Sequence, residues 1–369
     1  MNDRLRVLRT LEGKSVLVTG GAGLIGSRIT HRLRGLGARP VALCALDAYP
    51  IDVYRHLFDV NPDCQDIVVG DVRDQALVRR LVGDSDFVIH AAALADVAAC
   101  TRSPQTAIDS NITGTQTVLS AAAASDRLQR LVFVSSASVY GNGNPEDWAG
   151  PHDEHRGTRE LLADIYGRTP PRFGESRPLR PLSVYANTKA FGEVQTKLVL
   201  GAVGTSHAIV RYFSVYGEPQ VIKPGSHSWV VAWFASRVAL GLPLHLHGGG
   251  HQVRDLVHVD DIAEGTLLAL ASPEADGETV NIGTGRPTPI RRVAELVAEQ
   301  SDGAQLVETP MPPGDPLGGC ASTVHMERLL GWHPRITLEE GIARYTQWIK
   351  RRPAALPAWL HAEAGTARA

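Results

Sequence analysis

Short apolar runs rich in β-branched residues recur through the first half of the chain, and each precedes a stretch with helical spacing. Ser15–Thr19 (SVLVT) reads as a buried strand, followed by a glycine turn and an amphipathic helix over 27–35. Further strands are predicted at 40–46, 66–69, 87–91 (FVIHA) and 131–135 (LVFVS), with helical segments at 75–81 and 113–124 between them. Strands that alternate with helices pair in parallel and carry helices on both faces. The twist of the strands then makes the crossovers right-handed. The pattern predicts an α/β fold built on a doubly wound parallel sheet.

From about Arg211 the rhythm changes. Pro and Gly punctuate the chain at Tyr216-Gly217, Pro224-Gly225, 248–250 and 312–314, and the strands become short. We expect residues 1–210 to form one α/β domain, with 255–275 packing back onto it, and 211–350 to form a smaller C-terminal α/β domain. Such a domain builds a pocket at the C-terminal edge of the sheet, where ligands bind in open α/β folds. Residues 229–242 read as an apolar helix with Trp229 and Trp233 in its core, and the Ala/Pro-rich tail 351–369 as peripheral.

Composition narrows the function classes. The 369 residues are 43% hydrophobic and 21% charged, with a formal net charge of -2. No basic footprint for nucleic acid emerges from this balance. No run approaches the ~18 apolar residues of a membrane span, and the charged N-terminus lacks the apolar core of a signal peptide. Cys44, Cys64, Cys100 and Cys320 are scattered without a CxxC pair, so neither a disulfide framework nor a zinc site is expected, and the expected compartment is the cytoplasm. His245, His247 and His251 imitate a metal cluster by spacing alone, and no metal is expected.

Chemistry begins at Gly20-Gly21-Ala22-Gly23-Leu24-Ile25-Gly26, directly after the first strand. Glycines between a strand and a helix let the backbone approach a pyrophosphate, which then sits on the helix N-terminal amides. An acid about 20 residues on binds the adenosine ribose in such sites. Here Cys44 holds the strand end and Asp47 follows three residues later. The absence of an arginine after Cys44 favours NAD over NADP. Asp71, in Gly70-Asp71-Val72, reads equally as a partner for the adenine amino group or as a strand-end cap.

Ser135-Ser136 ends the fifth strand, and Tyr185-Ala186-Asn187-Thr188-Lys189 opens a helix. The YxxxK spacing puts Tyr185 and Lys189 one turn apart on one face. A tyrosine acting as base near neutral pH needs its phenolate stabilised by ~3 pH units, or ~4 kcal/mol. A neighbouring cation supplies attraction of that sign. Ser136 would orient the substrate hydroxyl. YxxxK alone is common on surface helices; in order with the glycine turn and the strand-end serine it becomes specific.

The ordered series VTGGAGLIG, GDVRD, HAAA, NITGT, SSASVYG, YANTK, RYFSVYG, RDLVHVDDIA, NIGTG and LLGWHP, spread over 14–348, resembles the extended short-chain dehydrogenase/reductase family in its NAD-dependent epimerase/dehydratase branch. The resemblance implies a Rossmann fold with bound NAD. It implies cofactor contacts at Gly20, Gly23, Leu24, Ile25, Gly26, Asp47, Asp71, Val72, Ala91, Ala92, Asn111 and Ser135, with Tyr185 and Lys189 at the nicotinamide end. Ser136, Ala137, Ser138, Tyr185, Ser214, Arg254 and Asp315 would face a nucleoside diphosphate sugar, Arg254 on its diphosphate. A homodimer through 104–124 and 185–200 is also implied.

Family members that eliminate water place Asp-Glu after the serine, and decarboxylase-like members keep the Glu. Ala137 and Ser138 cannot transfer that proton. This leaves epimerisation through a 4-keto sugar, or reduction of a 4-keto sugar; a non-catalytic sensor would not be expected to keep Ser136, Tyr185 and Lys189. Three departures stand out: Cys44 at the acid position, Pro312 where a second diphosphate arginine is common, and roughly two dozen extra residues between Tyr140 and Tyr185. The insertion, 152–180, reads as a lid or an enlarged sugar pocket, or equally as surface decoration. With Gly318-Gly319 in place of bulkier residues, an unusual or large sugar is expected.

Overall fold

The computed structural model describes residues 3–141, 172–224, 229–301, 304–310 and 318–368. Seven strands form the central sheet: β1 (Ser15–Thr19), β2 (Arg39–Cys44), β3 (Ile67–Val69), β4 (Phe87–His90), β5 (Arg130–Ser136), β6 (His207–Tyr212) and β7 (Thr279–Ile282). All pair in parallel, in the order β7-β6-β5-β4-β1-β2-β3. The chain runs outward from β1 to β3 and returns to β4 on the other side of β1. The crevice opened by this reversal lies at the C-terminal ends of β1 and β4, the position where open α/β sheets bind ligands.

Alternation along the strands builds two cores, because successive side chains point to opposite faces. Val16, Val18, Ile89, Val132 and Val210 meet Ile29 and Leu33 of α1 (Leu24–Gly35) on one face, together with Ile262, Leu267 and Leu268 from a helix in the second half. Leu17, Leu43, Val88, Leu131, Phe133 and Ile209 meet Val78 and Val82 of α2 (Gln75–Gly83) and Val118 and Leu119 of α3 (Gly114–Ala123) on the other. Both faces are covered, which is why the strands read as unbroken apolar runs.

The structure moves several expected boundaries. Helix α1 starts at Leu24, three residues early, because Gly23 caps it without a side chain. Strand β2 stops at Cys44, and Leu46 takes a left-handed backbone (φ 54) that ends the extension. Helix α3 is preceded by a π turn, Ile108–Thr113. A division at residue 210 would cut β6, and β7 arrives from beyond the 255–275 segment expected to pack back.

A second, smaller core gathers the helices Val230–Ala239, Ile290–Ala298 and Leu338–Arg351 around Leu244 and Leu246. The tail is part of it rather than peripheral. Residues Ala358–Arg368 form a helix that buries Leu360 and Ala364 there, and Trp359 stacks on Trp233 with ring centroids 6.1 Å apart. Its apolar positions, diluted by alanine, gave no periodic signal. Of the insertion, only 172–180 is described, and Arg172–Phe173 pairs with Cys320–Ala321. Among the described residues no helix is long and apolar enough to cross a membrane.

Candidate active site

The glycine turn closes against the end of β4. Gly20 has φ +71, and a Cβ there would lie 2.9 Å from the Cα and N of Ala92. A Cβ on Gly26 would run into the carbonyl of Gly20. Only glycine permits this approach of turn, strand and helix. The first turn of α1 has neither a side-chain cap nor an acid, so the amides at Leu24 and Ile25 remain a place for an anion. These features fit a dinucleotide diphosphate. Ala91 and Ala92 border the turn half-buried, and Val72 is buried against Gly114.

At the far end of β2, Asp47 is exposed and Cys44 is half-covered, with burial pushing its thiol up. Asp71 accepts both the backbone N–H of Arg73 (2.8 Å) and its guanidinium (2.6 Å), and this hydrogen bonding holds its carboxyl below the usual range.

Ser136 ends β5 and caps a short 3-10 turn, Ala137–Tyr140, by accepting the N–H of Ser138 at 3.2 Å. Tyr185 and Lys189 lie on α4 (Val184–Ala202), capped by Ser183. Burial pushes the Tyr185 phenol up to about 12, while its hydrogen bond with Ser136 pulls the other way. Burial also draws Lys189 down to about 8. Its Nζ donates to the carbonyl of Val134 at 2.9 Å and lies 5.9 Å from the centre of the Tyr185 ring. The three side chains expected to act together are therefore brought together. The Oγ of Ser138, beside them, is buried without a hydrogen-bond partner.

Asn111 sits on the π turn. Its Oδ1 accepts the N–H of Leu94 at 2.7 Å, and its Nδ2 donates to Leu94 O and Thr188 Oγ1, both at 3.1 Å. Cys100 Sγ donates to the same Leu94 carbonyl at 3.2 Å. The loop after β4 is thus pinned to the helix of Tyr185.

Sequence reasoning missed the supports below. Glu193, one turn beyond Lys189, forms a buried ion pair with Arg211 of β6 at 2.6 Å and accepts the hydroxyl of Ser135 at 2.5 Å. Arg211 also donates to Tyr140 Oη at 2.7 Å, and Tyr140 to Asn281 Oδ1 at 2.7 Å. The i, i+4 step from Lys189 to Glu193 was the available signal, but only the fold supplies Arg211 opposite it.

Two further expected substrate residues, Ser214 and Arg254, lie on the second half. Ser214 is on Ser214–Tyr216, paired with Leu256–His258. Arg254 donates from Nη1 to Val253 O at 2.8 Å. Next to it, Asp255 is buried, and burial raises its carboxyl although it accepts the N–H groups of Thr284, Gly285 and Ala321 at 2.8–2.9 Å. Gly318, at φ +89, packs on Arg254. Asp315 and Pro312 fall outside the described residues.

Among the described residues, Glu218, His258 and Asp260 bring one ligand atom each within 4.8 Å of one another. Two cations already occupy the cluster: Arg344 lies 2.9 Å from Glu218 and 2.6 Å from Asp260, and Arg28 3.3 Å from Asp260. Burial opposes the charge on Glu218, yet the contacts with His258 and Arg344 hold it at about 2. This arrangement suits an arginine-neutralised latch between α1 and the second core better than a metal. Of the three histidines with metal-like spacing, His247 bonds Thr309 Oγ1 at 2.8 Å.

A model of the NAD dependent epimerase/dehydratase family matches residues 16–161 and 162–283. The chain belongs to that family. Its cofactor is NAD. A putative UDP-glucose 4-epimerase of Methanocaldococcus jannaschii is 30% identical over 91% of this chain and 98% of the relative. A dTDP-L-rhamnose 4-epimerase of Burkholderia thailandensis is 29% identical over 92% and 96%, and a dTDP-glucose 4,6-dehydratase of Mycolicibacterium smegmatis 28% over 91% and 93%. Among solved structures, the UDP-glucose 4-epimerase of Thermus thermophilus in complex with NAD is 30% identical, with TM-score 0.73 over 91% of this chain and 99% of that one. The relatives are thus enzymes of one superfamily whose reactions differ.

Proposed function

We propose that the chain is an NAD-dependent nucleotide-sugar 4-epimerase. The observation that carries this reading is the Ser136–Tyr185–Lys189 group followed by Ala137 and Ser138, which leaves proton transfer at the C4 hydroxyl and provides no adjacent acid for elimination. Bound NAD would take a hydride from C4 and return it to the opposite face, its positive ring favouring phenolate. Tyr185 would take the C4 hydroxyl proton, with Ser136 holding that hydroxyl in line. Lowering a phenol from about 12 to neutrality requires ~7 kcal/mol, and the Lys189 charge is one source of it.

Gly20, Gly23, Leu24, Ile25 and Gly26 would cradle the diphosphate of NAD, with Val72, Ala91, Ala92, Asn111 and Ser135 along its length. Asp47, three residues past the end of β2, would hold the adenosine ribose, and Asp71 would face the adenine. Lys189 would hold the nicotinamide ribose. Arg254 and Asp315 would bind the diphosphate end of a nucleoside diphosphate sugar, with Ser214, Ala137 and Ser138 around the sugar; the orphaned Ser138 hydroxyl supports that placement. A cytoplasmic homodimer is part of the reading. Its support is the apolar exposure of Ile108 (40%), Val194 (51%) and Leu198 (63%) on the π turn and α4.

The deciding experiment incubates purified protein with a panel of nucleotide sugars in deuterated water, without added cofactor, and follows proton NMR. A new stereoisomer lacking solvent deuterium at the inverted carbon supports the epimerase. Turnover only when NADH or NADPH and a keto sugar are supplied replaces it with a 4-ketoreductase.

A further inference from the structure

His90 ends β4 fully buried, and the proposed chemistry does not use it. Its two ring nitrogens nevertheless fix a direction. Thr115 Oγ1 donates to the carbonyl of Asn111 at 2.5 Å. A hydroxyl has one proton, so toward His90 Nε2, 2.9 Å away, Thr115 accepts, and the ring proton sits on Nε2. Nδ1 then carries a lone pair and takes the hydroxyl proton of Thr19 at 2.7 Å. Thr19 Oγ1 in turn accepts the N–H of Ala92 at 3.2 Å. Every proton in the series points the same way.

The two ends of the series lie at functional places. Ala92 is the residue against which Gly20 closes. Asn111 holds Thr188, whose hydroxyl donates to the carbonyl of Tyr185 at 2.8 Å. Hydrogen bonds, carried covalently through Asn111 from its carbonyl to its side-chain amide, therefore join the wall of the dinucleotide cradle to the peptide of Tyr185, with His90 among their members. A polar series in a low-dielectric interior is rigid only when every member is satisfied.

We propose that His90, as the Nε2–H tautomer, is a positioning residue that fixes the cofactor wall relative to Tyr185. Transfer between a sugar carbon and a bound ring depends steeply on their separation, so a small slip at Ala92 or Tyr185 shows in turnover more than in substrate binding. The turnover part of this inference rests on the epimerase reading; the cofactor part rests on the family's NAD alone.

The test pairs Thr115→Val, which keeps the shape and removes the hydroxyl, with Thr115→Ser, which keeps the hydroxyl. Each protein is stripped of NAD, titrated with NAD by calorimetry, and assayed for kcat and KM on the converted nucleotide sugar. Thr115→Val is expected to lower kcat by about tenfold or more with KM changed less than about twofold, and to weaken NAD binding by about fivefold. Thr115→Ser is expected to stay within about twofold of the parent in both. Equal losses in the two variants, or an effect confined to Tm, overturn the proposal. Should Thr115→Val fail to fold, Thr19→Val against Thr19→Ser reads the same series from its other end, with the same criteria. If no nucleotide sugar is epimerised by the parent, the epimerase reading fails alone, and unchanged NAD affinity in the valine variants still decides against His90.

Discussion

Arg211 and Glu193 form an ion pair at 2.6 Å with both side chains buried, one on strand β6 and the other on the helix of Tyr185. The pair is also bonded to Ser135 and Tyr140, so it ties the end of β5 to that helix. Removing one partner leaves an uncompensated buried charge. Glu193→Ala is expected to destabilise the protein by about 3–5 kcal/mol, read by urea unfolding. The double variant Glu193→Met with Arg211→Met is expected to lose much less, because no lone charge remains. Equal losses would show that packing, and not charge, dominates here.

Tyr185→Phe removes the phenol that the proposed reaction uses as base and acid. The kcat on the converted nucleotide sugar is expected to fall by ~10²–10⁴, with NAD still bound at parental stoichiometry. Parental turnover in this variant would place the base elsewhere.

Lys189 is drawn down to about 8 by burial, so it loses its charge within the range of an ordinary assay. Its cation favours the phenolate of Tyr185 only below that value. The alkaline limb of kcat is expected to fall with a midpoint near 8, and Lys189→Arg, which stays charged, to push the limb to higher pH at reduced turnover. A limb unmoved by that substitution would have another origin.

His90 is held at about 3 by burial first and the Lys189 charge second, against an ordinary value of 6.5. Between pH 6.5 and 3 the unfolded chain therefore binds a proton that the folded chain refuses. Stability from this group falls as pH falls across that window, by up to about 5 kcal/mol. His90→Gln is expected to flatten the acid side of the stability profile, measured by urea midpoints at about pH 7, 5.5 and 4.5.

The exposed Val194 and Leu198 form one face of a long helix. Leu198→Asp is expected to convert a dimer to a monomer in light scattering, with little change in Tm for the separated chain. A parent that is already monomeric removes the dimer from the proposal.

The order of β1 to β5, the glycine turn and the YxxxK helix were legible in the sequence, because each is a local consequence of residue type. Buried parallel strands need continuous apolar runs, a close backbone turn needs glycine, and a four-residue step places two side chains on one helix face. Strand ends were less legible where backbone geometry intervened, as at Leu46 with φ 54, and the helix at Ala358–Arg368 was missed because alanine dilutes its apolar face.

What the residues could not announce was which distant groups would meet. Glu193 finds Arg211 across 18 positions, Tyr140 finds Asn281 across 141, and His90 lies between Thr19 and Thr115 at separations of 71 and 25. Hydrogen bonds and ion pairs leave no periodic trace along a chain, since their partners are chosen by strand order and helix packing. The sequence by itself carried the family resemblance, the glycine turn and the side chains proposed to react. The tertiary structure alone decided how the cradle is tied to Tyr185, because only the reversal of strand order at β1 and β4 brings Thr19, His90 and Asn111 to the same edge of the sheet.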